Sequence, residues 1–156
     1  MEKKFEIRYH QFEDIEQLGK EDQELVRAAV RAIKNSYAPY SKFHVGAAVR
    51  LETGDIVSGA NQENAAYPSG LCAERTAMFA ANATHPNIPQ VAIAITARYK
   101  GKILDFPPTP CGACRQVMAE YQKIGGRPMS VILYGRKVIY KFDKVDDILP
   151  MIFDSI

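Results

Sequence analysis

The sequence predicts an α/β fold, a three-layer α/β/α arrangement around a mixed sheet of about five strands. Three observations carry this. Residues 45–60 read as an antiparallel hairpin, helical and strand patterns alternate from the middle of the chain onward, and Val91-Ala92-Ile93-Ala94-Ile95-Thr96 is apolar without interruption, as a strand buried on both faces requires.

The elements follow in order. Lys4 to Phe12 places Phe5, Ile7 and Tyr9 on one side and predicts an extra N-terminal strand. Glu21 to Ser36 spaces Leu25, Val26, Ala29, Val30 and Ile33 as one helical face, with acids in the first turn to suit the helix dipole. Val45 to Leu51 and Ile56 to Ala60 are strands joined at Thr53-Gly54-Asp55. The small and polar loop Asn61 to Leu71 leads into a helix expected from Cys72 to Asn82. After the buried strand, a second cysteine-headed helix runs from Cys111 to Gln122 and is stopped by Gly125-Gly126. Val131 to Tyr134 and Val138 to Phe142 are further strands, and Asp143 to Leu149 reads as a short last helix. Residues 1–20 form an N-terminal strand extension and 21–156 a single domain, with no internal repeat or linker.

Composition narrows the function classes. A chain of 156 residues is large enough for one core without disulfide staples, and its net charge of +2 with no long basic run gives no track for a nucleic acid. No stretch reaches the roughly 20 apolar residues of a membrane span, and the start lacks the apolar core of a signal peptide. A cytoplasmic location is expected, and the odd count of three cysteines argues against a disulfide framework.

The spacing of those cysteines says more than their number. Cys111-Gly112-Ala113-Cys114 follows Pro110 and puts two sulfurs on the first turn of a helix. Zinc takes more than two protein ligands, four in structural sites or three plus an open position in catalytic ones. Cys72, which also opens a helix, is the only other thiol. In Cys72-Ala73-Glu74 a carboxylate rides on the same turn as a ligand without being one, where it can lie beside the fourth position as a general acid/base. Three thiolates around a divalent ion sum to minus one. Two helix N-termini, each worth about half a positive charge, and Arg75 hydrogen-bonding a thiolate would offset this.

At these residues the chain resembles the small cytidine deaminases of the three-cysteine, homotetrameric kind. The matching motifs are Tyr37-Ala38-Pro39-Tyr40-Ser41 with Phe43 and Val45-Gly46-Ala47-Ala48, then Asn61-Gln62-Glu63-Asn64-Ala65-Ala66-Tyr67, Cys72-Ala73-Glu74-Arg75-Thr76-Ala77 and Pro110-Cys111-Gly112-Ala113-Cys114-Arg115-Gln116-Val117. The resemblance implies one zinc per subunit on Cys72, Cys111 and Cys114, with Glu74 moving protons in the hydrolysis of cytidine and deoxycytidine to uridine and deoxyuridine. It also implies that Asn61 and Glu63 pair the 3′-hydroxyl of the sugar, that Phe43 packs on the pyrimidine, and that Ala73 and Tyr67 line the site, Tyr67 from a neighbouring subunit. Phe153, in Leu149-Pro150-Met151-Ile152-Phe153, is implied to reach a neighbour's active site and stack on the base. The expected partner is a small nucleoside, in a homotetramer with active sites at subunit interfaces and with no nucleic acid or membrane involved.

Two other readings stand beside this one. The same metal chemistry can serve blasticidin or cytosine in single-stranded nucleic acid. A non-catalytic zinc-stabilised scaffold would instead fill the fourth position with a side chain, His44 being the nearest candidate.

Overall fold

In a computed structural model, which describes residues 1–154, the chain forms one seven-stranded mixed sheet with helices on both faces. The strands are β1 (His10–Phe12), β2 (His44–Leu51), β3 (Ile56–Ala60), β4 (Gln90–Tyr99), β5 (Lys102–Ile103), β6 (Ser130–Tyr134) and β7 (Ile139–Phe142). Their order is β1-β7-β6-β4-β2-β3, with β5 folded back on the end of β4. The expected five central strands are all present. The sixth is the N-terminal strand, and the seventh is the two-residue return β5.

Sheet directions fix where the chemistry can go. β2 is antiparallel to both β3 and β4, so those two run the same way, and β6 is parallel to β4. The carboxyl ends of β3 and β4 therefore lie at one end of the sheet. The helices that follow them, α2 (Ala73–Thr84) and α3 (Gly112–Gly125), both begin there. In open α/β sheets this end is where ligands bind.

Period-two alternation sorts the side chains into two cores of different calibre. Val49, Leu51, Ile93, Ile95, Val131 and Leu133 face α2 and α3 together with Met78 and Met118. On the opposite face Ala48, Ala92 and Ala94 leave room for α1 (Lys20–Ala32), whose Leu25, Val26, Ala28 and Ala29 fill the space. The approach is close enough that a Cβ on Gly46 would stand 2.1 Å from the carbonyl oxygen of Ala29. Asp22, in the first turn of α1, is buried and accepts from Arg50 of β2 at 3.0 Å and Lys141 of β7 at 2.7 Å, locking the helix across the sheet.

Two sequence expectations are shortened. The N-terminal strand, expected from Lys4, pairs only at His10–Phe12, opposite Lys141, Tyr140 and Ile139. In this register Tyr9 falls opposite Phe142, the last residue of β7, so residues before Tyr9 have no strand to pair with whatever their alternation. Tyr9 instead lays its ring against Tyr140 and Phe142. The last helix is a single 3₁₀ turn, Val145–Asp147.

Gly59 sets how closely α2 approaches β3. A Cβ there would meet the Ala77 nitrogen at 2.4 Å and the Ala73 oxygen at 2.9 Å. Gly59→Ala is expected to lower unfolding stability by about 1–3 kcal/mol through overpacking, measured as a lower urea midpoint at an unchanged slope.

Candidate metal centre

Helices usually begin with a residue whose side-chain oxygen caps the first-turn N–H groups. Here Cys72 and Cys111 hold those positions, with extended backbones and no side-chain cap hydrogen bond. Their sulfurs turn instead toward each other, 4.0 Å apart. Cys114, three residues into α3 and fully buried, faces the same point, and the three sulfurs all lie within 4.8 Å of one another. Tetrahedral zinc with Zn–S bonds near 2.3 Å needs sulfurs about 3.8 Å apart. The group fits such an ion after small adjustments.

Electrostatics give the same answer. The Cys114 thiol beside it, and then the Arg75 guanidinium, bring Cys72 down to about 5 against the opposing effect of burial. Cys114 is pushed far up by the Cys72 sulfur next to it and by burial. One sulfur ionises readily and its neighbour then cannot, unless a cation stands between them. Arg75 donates to the Cys72 sulfur at 3.5 Å, which raises the affinity of the guanidinium for its proton. No histidine or carboxylate joins the sulfur group among the described residues. His44 is bonded through Nδ1 to the Ser36 hydroxyl at 2.7 Å.

Glu74 is the second residue of α2 and only 5 % exposed. Burial raises its pKa above the ordinary carboxylate value, the backbone around it working in the other direction. A cavity of about 770 Å³ opens in front of it. Cys72, Ala73, Glu74, Arg75 and Cys111 form its floor, while Phe43, Asn61, Glu63 and Tyr67 line its walls. All the residues singled out from the sequence therefore converge there except two. Cys114 lies behind the floor, and Phe153 lies outside the lining, 65 % exposed, its backbone gripped by Gln116 of α3 through bonds of 2.8 and 3.2 Å.

The polar wall is held by its own chain. The Asn61 side chain accepts from Val45 N and donates to Phe43 O, both at 2.8 Å, tying the end of β3 to the start of β2. Glu63 accepts from Tyr40 N at 2.9 Å, Ser41 N at 3.2 Å and the Ser41 hydroxyl, and these contacts, the hydroxyl first, hold its carboxyl below the usual range. Sequence reasoning missed Arg115, which pins Pro110 O at 2.9 Å and Ile148 O at 2.8 Å and so steadies the entry to Cys111. Its place directly after Cys114 was the available signal, but its partner Ile148 is 33 residues away.

Comparison with known proteins agrees with this geometry. The family described as the cytidine and deoxycytidylate deaminase zinc-binding region matches residues 19–125. A cytidine deaminase of Halalkalibacterium halodurans is 48% identical over 98 residues, covering 63% of this chain and 70% of that protein. The crystal structure of cytidine deaminase from Burkholderia pseudomallei superposes with a TM-score of 0.70 at 38% identity, over 83% of this chain and 97% of that one. A blasticidin-S deaminase of Bacillus cereus is 30% identical over 106 residues, 67% of this chain and 75% of that protein.

Replacing Cys114 by Ser is expected to reduce zinc from about one ion per chain to a small fraction of that, since only two thiolates remain. Arg75→Gln should keep the ion but weaken its binding about 10–100-fold. Metal analysis after dialysis and competition with a colorimetric chelator check both.

Proposed function

The chain belongs to the cytidine and deoxycytidylate deaminase zinc-binding family, and from that premise we propose that it hydrolyses cytidine and deoxycytidine to uridine and deoxyuridine, releasing ammonia. The observation that carries the reading is the buried Glu74 carboxylate on the same helical turn as a sulfur of the three-cysteine group, at the floor of a cavity of about 770 Å³.

Each residue has a task in this reaction. Cys72, Cys111 and Cys114 hold the zinc, and the first-turn N–H groups of α2 and α3, with Arg75, offset the charge of the thiolates. When bound, zinc would act as a Lewis acid that lowers the pKa of the attacking water. Glu74 takes a proton from the attacking water and passes it to nitrogen 3 of the pyrimidine ring. Once the tetrahedral carbon has formed, Glu74 takes the second proton from its new hydroxyl and gives it to the amine, so that the C=O bond forms as the C–N bond breaks and ammonia leaves. Burial suits it to this, because it raises the proton affinity of the carboxylate and so makes it a better acceptor of the water proton than an exposed one.

Ala73 and Phe43 bound the space for the base, and Asn61 with Glu63 receives the 3′-hydroxyl of the sugar. A wall of fixed polar groups disfavours a ligand that lacks the hydroxyl it is built to pair. This favours a nucleoside over free cytosine, and over blasticidin, which the Bacillus cereus relative is named for.

The assembly belongs to the same reading. Tyr67 at the cavity mouth is 76 % exposed and Phe153 is 65 % exposed, and large apolar side chains left open beside a site mark contact surfaces. A homotetramer in which Phe153 reaches a neighbour's site, and Tyr67 at the mouth of its own cavity also meets a neighbouring subunit, accounts for both. A group of thiols that must stay reduced to bind metal suits the cytoplasm.

Glu74→Gln is expected to retain zinc while turnover of cytidine falls by at least about 100-fold; near-normal uridine formation would remove Glu74 from the chemistry. Zinc chelation should abolish the absorbance change of cytidine and deoxycytidine, and re-addition should restore it. Faster turnover of blasticidin or an oligonucleotide than of cytidine would overturn the substrate assignment.

A further inference from the structure

The polar wall opposite the metal centre is a constructed turn. Lys42 donates its N–H to Ala38 O at 3.1 Å and stands at φ 58°, the left-handed region that a residue with a side chain seldom occupies. That reversal brings Phe43 N to within 3.0 Å of the Ser41 hydroxyl oxygen. The turn is docked on the segment that follows β3, with Tyr37 N bonded to Asn61 O at 3.0 Å and Glu63 N to Tyr37 O at 2.8 Å.

Within this frame the bonding of Ser41 has one direction. A hydroxyl has one hydrogen to give and lone pairs to receive, an ionised carboxylate can only accept, and a backbone N–H can only donate. The Phe43 N–H therefore occupies a lone pair of Ser41, and the Ser41 proton goes to Glu63 Oε1. Such chained bonds strengthen one another.

A carboxylate offers about four lone-pair positions. Both on Oε2 are taken, by the N–H groups of Tyr40 and Ser41. Those two bonds act as a hinge, about which the carboxylate can still swing. Oε1 is bonded by Ser41 alone and keeps one position open. Losing the Ser41 hydroxyl would leave Glu63 tethered but not aimed.

Resting on the assignment of Glu63 to the sugar under Proposed function, we propose that Ser41 is a positioning residue for nucleoside recognition, its hydroxyl fixing the Glu63 carboxylate so that one open acceptor meets the sugar hydroxyl. Ser41 makes no bond to the reacting atoms in this scheme. It sets the discrimination between ligands that carry the 3′-hydroxyl and those that do not.

The test uses the zinc-loaded enzyme with cytidine and 3′-deoxycytidine. Ser41 is exposed, so Ser41→Ala removes the hydroxyl without opening a hole in the core. The expected result is a KM for cytidine raised on the order of tenfold, the scale of one hydrogen bond to a charged group, with kcat within about twofold. The KM for 3′-deoxycytidine should move much less, and Ser41→Thr, which restores a hydroxyl, should recover most of the cytidine KM. Zinc content and thermal midpoint should match wild type. An unchanged cytidine KM overturns the proposal, as does an equal loss on both substrates or a loss of zinc or folding, which a merely structural role would produce. If wild type itself handles the two nucleosides alike, Glu63 does not read the hydroxyl, and both that assignment and the role of Ser41 fall on the wild-type data alone.

Discussion

Three sulfurs within 4.8 Å of one another concentrate more negative charge than a protein interior tolerates, and the rest of the structure is arranged around offsetting it. Three partial or full positive charges meet there: the N-terminal end of α2, that of α3, and the Arg75 guanidinium. Each is insufficient alone. The helix ends contribute because Cys72 and Cys111 sit at the cap position and leave first-turn N–H groups uncapped by any side chain. The divalent ion completes the balance and lets all three sulfurs ionise together. With three thiolates the net charge of the centre stays negative, so the donors beside it matter for acidity as well as for affinity.

Bringing two helix starts to one point is the task of the sheet. β3 and β4 run in the same direction with β2 between them, so the helices that follow them begin at the same end. The spacing of α2 above the sheet is then set by the backbone contact at Gly59, and the large side chains of Val49, Ile93, Ile95, Val131 and Leu133 fill what remains under α2 and α3. The opposite face is built small, with Gly46, Ala48, Ala92 and Ala94 under α1, which closes the core without reaching the site. Metal geometry and core packing are thus one problem, because a shift of α2 moves Cys72, Glu74 and Arg75 together.

Across the cavity a different principle applies. Asn61, Glu63 and Ser41 spend most of their hydrogen-bonding capacity on their own backbone, at Val45, Phe43, Tyr40 and Ser41. A wall tied in this way does not have to order itself when a ligand arrives, and that lowers the entropic cost of recognition. The N–H groups and carbonyls of the turn are satisfied by the same bonds, so stability of the loop and readiness of the site come from one network.

Much of this is legible in one dimension. Apolar periodicity located α1, both arms of the β2–β3 hairpin and the buried β4, since burial on one face or two leaves a direct trace in residue type. Cysteine spacing located Cys111 and Cys114 on one helical turn, and Glu74 two residues past Cys72, because positions within a turn are fixed by the helix itself. What the chain alone could not decide depends on partners distant in sequence. Lys4 to Arg8 alternate as a strand would, yet no ladder forms, for β7 ends at Phe142, opposite Tyr9. The meeting of Cys72 with Cys111, 39 residues apart, required the shared direction of β3 and β4. The Arg115 clamp on Ile148 and the hold of Ser41 on Glu63 likewise join residues 33 and 22 positions apart. Local sequence determined which groups exist and on which turn they sit. Tertiary structure decided which of them touch, because only strand order and direction can bring the ends of separate elements to one place.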